Sequence, residues 1–276
     1  MANSNRGTRV PWSSHFFLVA ALGATVAGGR ATAQDADELS KQLANPVASL
    51  ISVPLQSNFE FGAGSGDGFA YTLNIQPVIP FSINEDWNLI SRTILPVAYR
   101  DYLPPPDGNT FGLGDITQSL FFSPKAPTSN GLIWGVGPAF LIPTATDDFL
   151  GSGKFGLGPT GVGLVQKGPW TVGILANHIW SVAGDDDRAE VNSTFLQPFL
   201  SYALGHGTSI TLNTESTYDW VSEQWTVPIN LGVQQVFKLG EQPVSIQVGG
   251  KYYAEAPEGA PQWGIRTTFT FLFPKK

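Results

Sequence analysis

The sequence lacks cysteine, and its single methionine is the first residue. Such a chain can form no disulfide, no thiolate metal site and no cysteine nucleophile. Charged residues are also scarce, at 13% of the chain, whereas a soluble domain usually carries about 25%. A surface that faces lipid would explain this deficit, because charged side chains are costly in such a surface.

The sequence has too little positive charge for nucleic-acid binding and too few histidines for a histidine-based catalytic or metal site. The formal net charge is −7 and no basic cluster is present, which argues against a nucleic-acid partner. His178 lies three residues before Ser181, and this spacing puts the two side chains on opposite faces of a β-strand. The sequence therefore predicts a protein that is not an enzyme and that uses no metal and no cofactor.

Long apolar runs are missing as well, because none reaches the ~20 residues that a membrane-spanning helix needs. The run 16–27 follows two arginines and precedes Ala31-Thr32-Ala33, an arrangement typical of a secretory signal peptide. We predict a signal peptide over 1–33 that is cleaved between Ala33 and Gln34. An exported chain without a spanning helix is either soluble or crosses lipid as a closed β-barrel, which satisfies every backbone group.

The residues that are plentiful favour β-structure, since 31 glycines and 12% aromatic residues suit tight turns and strands. From residue 50 onward, apolar and polar residues alternate with period two, as Ile246 and Val248 do with Ser245 and Gln247. This is the pattern of half-buried strands. Twelve such blocks are predicted, at 50–61, 69–82, 87–101, 113–123, 131–143, 155–166, 169–182, 191–204, 208–219, 225–237, 243–255 and 263–273. Single-chain bacterial barrels have an even number of strands, so we predict an all-β fold, a closed antiparallel transmembrane β-barrel of about 12 strands.

The connections between the blocks alternate in length, as in bacterial barrels with short periplasmic turns and longer outer loops. The predicted outer loops are 62–68, 102–112, 144–154, 183–190, 220–224 and 256–262. The predicted periplasmic turns are 83–86, 124–130, 167–168, 205–207 and 238–242. The fit is weaker at 220–224, which is short for a loop, and at 124–130, which is long for a turn.

Tryptophans lie near the ends of the predicted strands, where aromatic girdles meet the two lipid–water interfaces. The predicted girdle residues are Trp87, Trp134, Trp170, Trp180, Trp225 and Trp263. The alternative is that these are ordinary core aromatics of a β-sandwich, although a sandwich core would favour positions in the middle of strands.

Prolines inside the predicted strands fit a barrel badly, because proline lacks the ladder N–H and belongs at edges or bulges. They are Pro54, Pro77, Pro96, Pro138, Pro159, Pro198 and Pro228. A closed barrel has no edges, so these prolines must lie at bulges or at strand ends.

The polar phase of the alternation should face the lumen of the barrel, where function would lie. The residues predicted to line the lumen are Glu60, Asn74, Gln76, Arg92, Asn213, Glu215, Gln247, Lys251 and Arg266. Charges of both signs could form a network that closes the barrel, or they could define a narrow pathway. Glu60, Lys251 and Arg266 come from neighbouring strands, so in a cluster two cations would face one anion and favour anionic solutes.

The segment before the barrel, 34–49, could form one or two helical turns that stop before Pro46. It could act as a plug in the lumen or extend as a periplasmic tail, and the sequence leaves both open. The predicted organisation is thus a signal peptide (1–33), this N-terminal segment (34–49) and a transmembrane barrel (50–276).

Four stretches of the mature chain resemble a family of bacterial outer-membrane transporters. They are LSKQLANPVASLISVPLQSNFEFG at 39–62, NIQPVIPFSINEDWNLISRTILPV at 74–97, GLGDITQSLFFSP at 112–124 and GIRTTFTFLFPK at 264–275. Members of this family often carry the misleading label neuromedin U, and the family is related to the phenol meta-pathway outer-membrane proteins. The resemblance implies an outer-membrane β-barrel with a transport role, and it implies no catalytic residues and no particular substrate.

The predicted function is the passive transport of small molecules across the outer membrane of a Gram-negative bacterium. The predicted partners are outer-membrane lipid, lipopolysaccharide, the outer-membrane assembly machinery and a small-molecule solute. The alternative is a structural or adhesive outer-membrane barrel that does not conduct.

Overall fold

The computed structural model describes residues 33–65, 68–105 and 108–274. Apart from Ala33, the predicted signal peptide lies outside these residues, so its cleavage stays a prediction. The described residues contain one helix, α1 (Ala33–Leu43), and fifteen β-segments. The segments are β1 (Ile51–Ala63), β2 (Gly68–Ile75), β3 (Val78–Ser82), β4 (Trp87–Arg100), β5 (Thr110–Leu113), β6 (Ile116–Pro124), β7 (Leu132–Ile142), β8 (Lys154–Lys167), β9 (Trp170–Gly184), β10 (Asn192–Gly205), β11 (Thr208–Thr214), β12 (Ser216–Asp219), β13 (Gln224–Leu239), β14 (Gln242–Glu255) and β15 (Trp263–Phe273). In this part of the chain, no helix has the length and apolar character to cross a membrane.

The β-segments form one closed antiparallel barrel. Neighbouring segments pair around the sheet, and β1 closes it by pairing with β15, from Ile51 opposite Phe273 to Phe61 opposite Trp263. Three strands of the barrel each consist of two segments, namely β2 with β3, β5 with β6, and β11 with β12. The described residues therefore build twelve barrel strands, which confirms the predicted fold.

Three of the prolines explain the three interrupted strands. Pro54 faces the break between β2 and β3, Pro96 faces the break between β5 and β6, and Pro198 faces the break between β11 and β12. Because proline has no N–H to donate, the neighbouring strand loses a ladder hydrogen bond at that position. The ladder of hydrogen bonds is therefore interrupted at each of these breaks.

The other prolines follow the same rule. Pro138 and Pro159 lie opposite each other in β7 and β8, and each faces a gap in the pairing with the strand on its other side. Pro77 lies in the break between β2 and β3, and Pro228 coincides with a register shift between β13 and β14. All seven prolines thus lie at the bulges and gaps to which proline is restricted in a closed sheet.

Side chains along the strands alternate between the interior and the outer surface of the barrel. In β13, Asn230 is 5% exposed whereas Leu231 is 57% exposed, and in β15 the same contrast separates Arg266 from Ile265. The outward side chains of these strands are apolar, as a lipid-facing band requires.

The two ends of the barrel differ in their connections. The turn end carries 83–86, 125–131, 168–169, 206–207 and 240–241. The loop end carries 64–67, 101–109, 143–153, 185–191, 220–223 and 256–262. Two-residue turns occur only among the first set, and the longest connection, 143–153, belongs to the second. The alternation agrees with the predicted placement of the turn end in the periplasm, apart from 125–131, 64–67 and 220–223.

The predicted girdle tryptophans fall into two groups. Trp87, Trp134 and Trp170 lie near the turn end, where Trp87 and Trp134 form an edge contact with ring centroids 5.8 Å apart. The members near the loop end are Trp180, Trp225 and Trp263. Both groups lie on outward positions of the strands, where interfacial aromatic residues are found in outer-membrane barrels.

Candidate functional site

The N-terminal segment enters the barrel at the turn end. The Asp37 carboxylate accepts a hydrogen bond from the Gly207 N–H at 2.6 Å, and Gln166 Nε2 donates to the Lys41 carbonyl at 2.9 Å. Gly207 and Gln166 belong to different hairpins, so α1 is attached to two sides of the opening. This placement favours the plug over the periplasmic tail, and residues 33–50 are termed the plug.

Apolar contacts hold the plug inside the wall. Val47 is 5% exposed and packs in the interior among Ile90, Phe121, Val162, Leu164 and Leu175. A second cluster joins the plug residues Ala36 and Leu50 to Val236 and Leu272. Burying one valine side chain stabilises by about 1.5–3 kcal/mol. These contacts therefore stabilise the plug against the inner wall.

Two cavities lie inside the barrel beyond the plug. The turn-end cavity has a volume of about 220 Å³ and is lined by the plug at 42–46 and by inward side chains that include Leu175, Gln197, Phe199, Asn213, Gln234 and Gln247. The loop-end cavity has a volume of about 240 Å³. Its wall is mainly apolar, with Ile94, Leu141, Ile179, Val191 and Phe195, and its polar members are Thr117, Ser119, Asn177, Ser193 and Thr217.

Arg92 of β4 lines both cavities, so it lies between them. Its Nη2 donates one hydrogen bond, to Gln76 Oε1 at 3.2 Å. Within residues 33–65, 68–105 and 108–274, no carboxylate oxygen approaches its guanidinium within 4.0 Å. A guanidinium has five N–H donors, so most of the donors of Arg92 have no protein partner in this part of the chain.

The other predicted charges form two buried ion pairs. Lys251 Nζ lies 2.7 Å from Glu60 Oε1, and this carboxylate also accepts a hydrogen bond of 2.6 Å from the Tyr253 hydroxyl. Arg266 donates to both oxygens of Glu215, at 2.8 and 2.7 Å. Such a bidentate pair is among the strongest charge-assisted interactions in proteins. The two pairs occupy the interior beside β14, β15 and β1.

The position of Glu215 corrects one expectation. The predicted cluster had two cations, Lys251 and Arg266, facing Glu60 alone, but Glu215 joins it as a second anion. Glu215 lies in the break between β11 and β12 that faces Pro198, so the ladder does not hold it. The cluster is therefore neutral, and the interior arginines outside it, Arg92 and Arg100, have no carboxylate partner among the described residues.

The predicted amide residues connect the strands through hydrogen bonds. Gln56 Oε1 accepts from Asn74 Nδ2 at 3.3 Å and from Gln76 Nε2 at 3.2 Å, which links β1, β2 and the β2–β3 break. Asn213 accepts from Asn230 at 2.9 Å, and Gln247 donates to Thr211 at 2.6 Å. All nine predicted lumen residues thus lie in the interior, in the two ion pairs, in this amide network or on the cavity walls.

Two groups of interior residues were not predicted from the sequence. Tyr253 shares the inward phase of Lys251, but tyrosine is easily assigned to an outer girdle. The sequence pattern did not identify the apolar wall of the loop-end cavity, because Ile94, Ile179 and Phe195 are each followed by an apolar residue on the opposite face of the strand.

His178 and Ser181 do not form a catalytic pair. His178 Nδ1 lies 2.7 Å from Thr194 Oγ1, whereas the Ser181 hydroxyl binds Glu190 and the Val191 carbonyl. The two side chains point to different faces of β9, as their spacing predicts.

Solved structures share the architecture of this barrel. The COG4313 outer membrane channel from Pseudomonas putida F1 aligns with 82% of this chain and 96% of its own, at 16% identity and a TM-score of 0.63. The NanC porin aligns with 79% of this chain and 98% of its own, at 10% identity and a TM-score of 0.51. Outer membrane phospholipase A from Escherichia coli aligns with a lower TM-score of 0.46 and 8% identity.

No protein-family model and no curated protein matches the sequence. At such low identities the structural likeness establishes the fold. The chain is a β-barrel of the kind found in Gram-negative outer membranes.

Proposed function

We propose that the protein is a passive channel for small solutes across the outer membrane. The observation that carries this proposal is the pair of cavities inside a closed barrel that share Arg92 in their walls. The channel and the porin that share the fold support it. We also propose that the chain is a member of the transporter family that its sequence motifs resemble.

The route of a solute follows from the order of these features. A solute enters at the loop end, occupies the loop-end cavity, passes Arg92 and reaches the turn-end cavity, whose lining includes the plug at 42–46. The plug then has to shift to release the solute. A non-conducting structural barrel remains the second candidate, favoured by the two buried ion pairs and by the apolar contacts of Val47.

The first test is conductance of the folded chain from residue 34 onward, reconstituted into a planar lipid bilayer. A channel should give discrete current steps under an applied voltage. Silence in both the wild type and a variant without residues 34–49, each shown to be folded by a heat-sensitive shift on a gel, would support the structural barrel.

A disulfide can test the movement of the plug, because the chain has no cysteine of its own. An ideal Cβ at Gly135 lies 3.2 Å from Val47 Cγ1, so Val47→Cys with Gly135→Cys places two thiols within bonding reach. We expect oxidation to suppress conductance and a reductant to restore it. The single variant Val47→Cys is the control and should not respond. Equal currents in the oxidised and reduced double variant would show that solutes bypass a stationary plug.

A further inference from the structure

The unused donors of Arg92 make it the exception among the interior charges. Lys251 and Arg266 have carboxylate partners at 2.7 Å, whereas Arg92 has a single hydrogen bond, to an amide oxygen, in the described part of the chain. Arg100, nearer the loop end, donates to the carbonyls of Tyr71 and Tyr99 and to Thr72. Arg92 is thus a fixed positive charge whose planar donor array faces open space in two cavities.

A counterion for Arg92 has to come from solution. Arginine stays protonated in proteins, and an uncompensated charge in a partly desolvated interior is unfavourable. The nearby Glu215 attracts Arg92 only across space, because its hydrogen bonds go to Arg266 and none goes to Arg92. An anion with two or three oxygens would use the free donors in the bidentate geometry that guanidinium groups favour.

The loop-end cavity adds an apolar surface beside this charge. Ile94, Leu141 and Phe195 line it together with Arg92. A polyhydroxylated solute would leave hydroxyl groups without partners against this wall, which is costly. A cavity of about 150 Å³ holds one benzene ring, so about 240 Å³ has room for a ring with a charged head.

We infer that the loop-end cavity binds small amphipathic monoanions, with an oxyanion head on Arg92 and an apolar body against Ile94, Leu141 and Phe195. This inference rests on the proposed channel function, since the bound anion is taken to be the solute that passes. Ser119 and Asn177 line the same cavity and supply neutral polar groups for the remaining oxygens of the head.

Benzenesulfonate is a suitable probe, because it stays anionic at any working pH and does not cross lipid as a neutral acid. Its binding to the folded protein in detergent can be measured by titration calorimetry. Arg92→Gln should weaken binding about 10-fold to 100-fold, the range expected for loss of a hydrogen-bonded charge. Arg100→Gln is the matched control and should bind like the wild type, because Arg100 does not line the loop-end cavity and already makes three hydrogen bonds within the protein.

Two further ligands separate the contributions of charge and apolar body. Methanesulfonate carries the same head without the ring. It should bind more weakly than benzenesulfonate by a factor of about ten or more, because it lacks the apolar surface that the ring buries. Benzyltrimethylammonium carries the ring with the opposite charge and should not bind. Ile94→Thr should weaken benzenesulfonate severalfold and leave methanesulfonate unchanged.

The outcomes distinguish this site from the channel function. Benzenesulfonate binding that survives Arg92→Gln in a folded variant, or equal binding of the cationic probe, would overturn the inference. A protein that conducts but does not bind benzenesulfonate overturns the inference and leaves the channel intact. If the protein binds benzenesulfonate through Arg92 but never conducts, the channel proposal is overturned and the proposed anion site is still supported.

Discussion

The two sides of the lumen differ in whether their charged side chains are paired. Beside β14, β15 and β1, the interior is filled by the pairs Lys251–Glu60 and Arg266–Glu215, with side chains of Lys251, Glu60 and Arg266 that are less than a tenth exposed. Beside β4, β6, β9 and β10, the interior is a cavity with an apolar wall and the unpaired Arg92. One side therefore closes the barrel, and the other leaves room for a solute.

The backbone decides which arginine is paired. The break opposite Pro198 lets Glu215 leave the ladder and reach Arg266, three strands away. The partner of Arg92 is the amide of Gln76, beside the break that contains Pro77. Equal side chains thus have different partners, a carboxylate for Arg266 and an amide for Arg92, because of the groups that neighbouring breaks supply.

The largest effect is expected from breaking a pair on the closed side. Glu60→Leu leaves Lys251 buried without a carboxylate, so the free energy of unfolding should fall by about 3 kcal/mol. Arg92→Gln removes one hydrogen bond on the open side and should cost at most about 1 kcal/mol. Urea titrations of the barrel refolded into detergent micelles measure both.

A double variant tests whether the cost comes from the unpaired charge. Glu60→Leu with Lys251→Met replaces the pair by apolar groups and should recover most of the lost stability. If Glu60→Leu and Arg92→Gln lowered the free energy of unfolding equally, the contrast between the two sides of the lumen would be wrong.

The same contrast explains what the sequence could predict. On the closed side, β14 and β15 face lipid outward and paired charges inward, so polarity alternates strictly and places Lys251 and Arg266 in the lumen. On the open side, lipid and an apolar cavity both select apolar side chains. Alternation reports a difference in polarity between two faces, and it vanishes when both faces are apolar, as at Ile179 and Phe195.

Partnerships across the barrel were beyond the sequence for another reason. Whether Arg266 meets Glu60 or Glu215 depends on the shear of the barrel and on the break at 215, neither of which local patterns determine. The position of the plug could not be predicted from local patterns either. Val47 is held by contacts with β4, β6, β8 and β9, which are distant from it in sequence.

An intermediate effect is expected on ion selectivity. Arg92→Gln removes the cation that lines both cavities and should lower the anion-to-cation permeability ratio about twofold to tenfold, according to how much water screens the site. The reversal potential in a salt gradient measures this ratio. The change should shrink at high salt, where the Debye length falls from about 10 Å at 0.1 M to about 3 Å at 1 M.

The closed side provides the control for selectivity. Glu60→Leu with Lys251→Met removes one charge of each sign and should leave the permeability ratio unchanged. A shift as large as that of Arg92→Gln would mean that the paired charges also act on the passing ion, and the two sides would then not differ in function.

The smallest effect is expected where the open side carries a pair at its exposed rim. Lys154 Nζ lies 2.9 Å from Glu190 Oε1 in 185–191, and the Glu190 side chain is 68% exposed. Hydrogen bonds from Ser181 and Lys154 hold the pKa of Glu190 below its ordinary value of 4.5. Because the folded pKa is depressed, the ordering that Glu190 gives the loop is present above pH 4.5 and is lost as the pH falls through the lower folded value.

Hydrogen–deuterium exchange of 185–191 can detect this ordering. At pH 7, Glu190→Gln should exchange slightly faster than the wild type, because water screens the exposed Glu190 and a glutamine can still accept a hydrogen bond from the buried Lys154. At pH 3 the difference should narrow, as the wild-type carboxyl begins to lose its charge. Glu258→Gln, in the loop 256–262, is the control and should leave 185–191 unaffected at both pH values. A difference in exchange rate that grew on acidification would contradict a lowered pKa for Glu190.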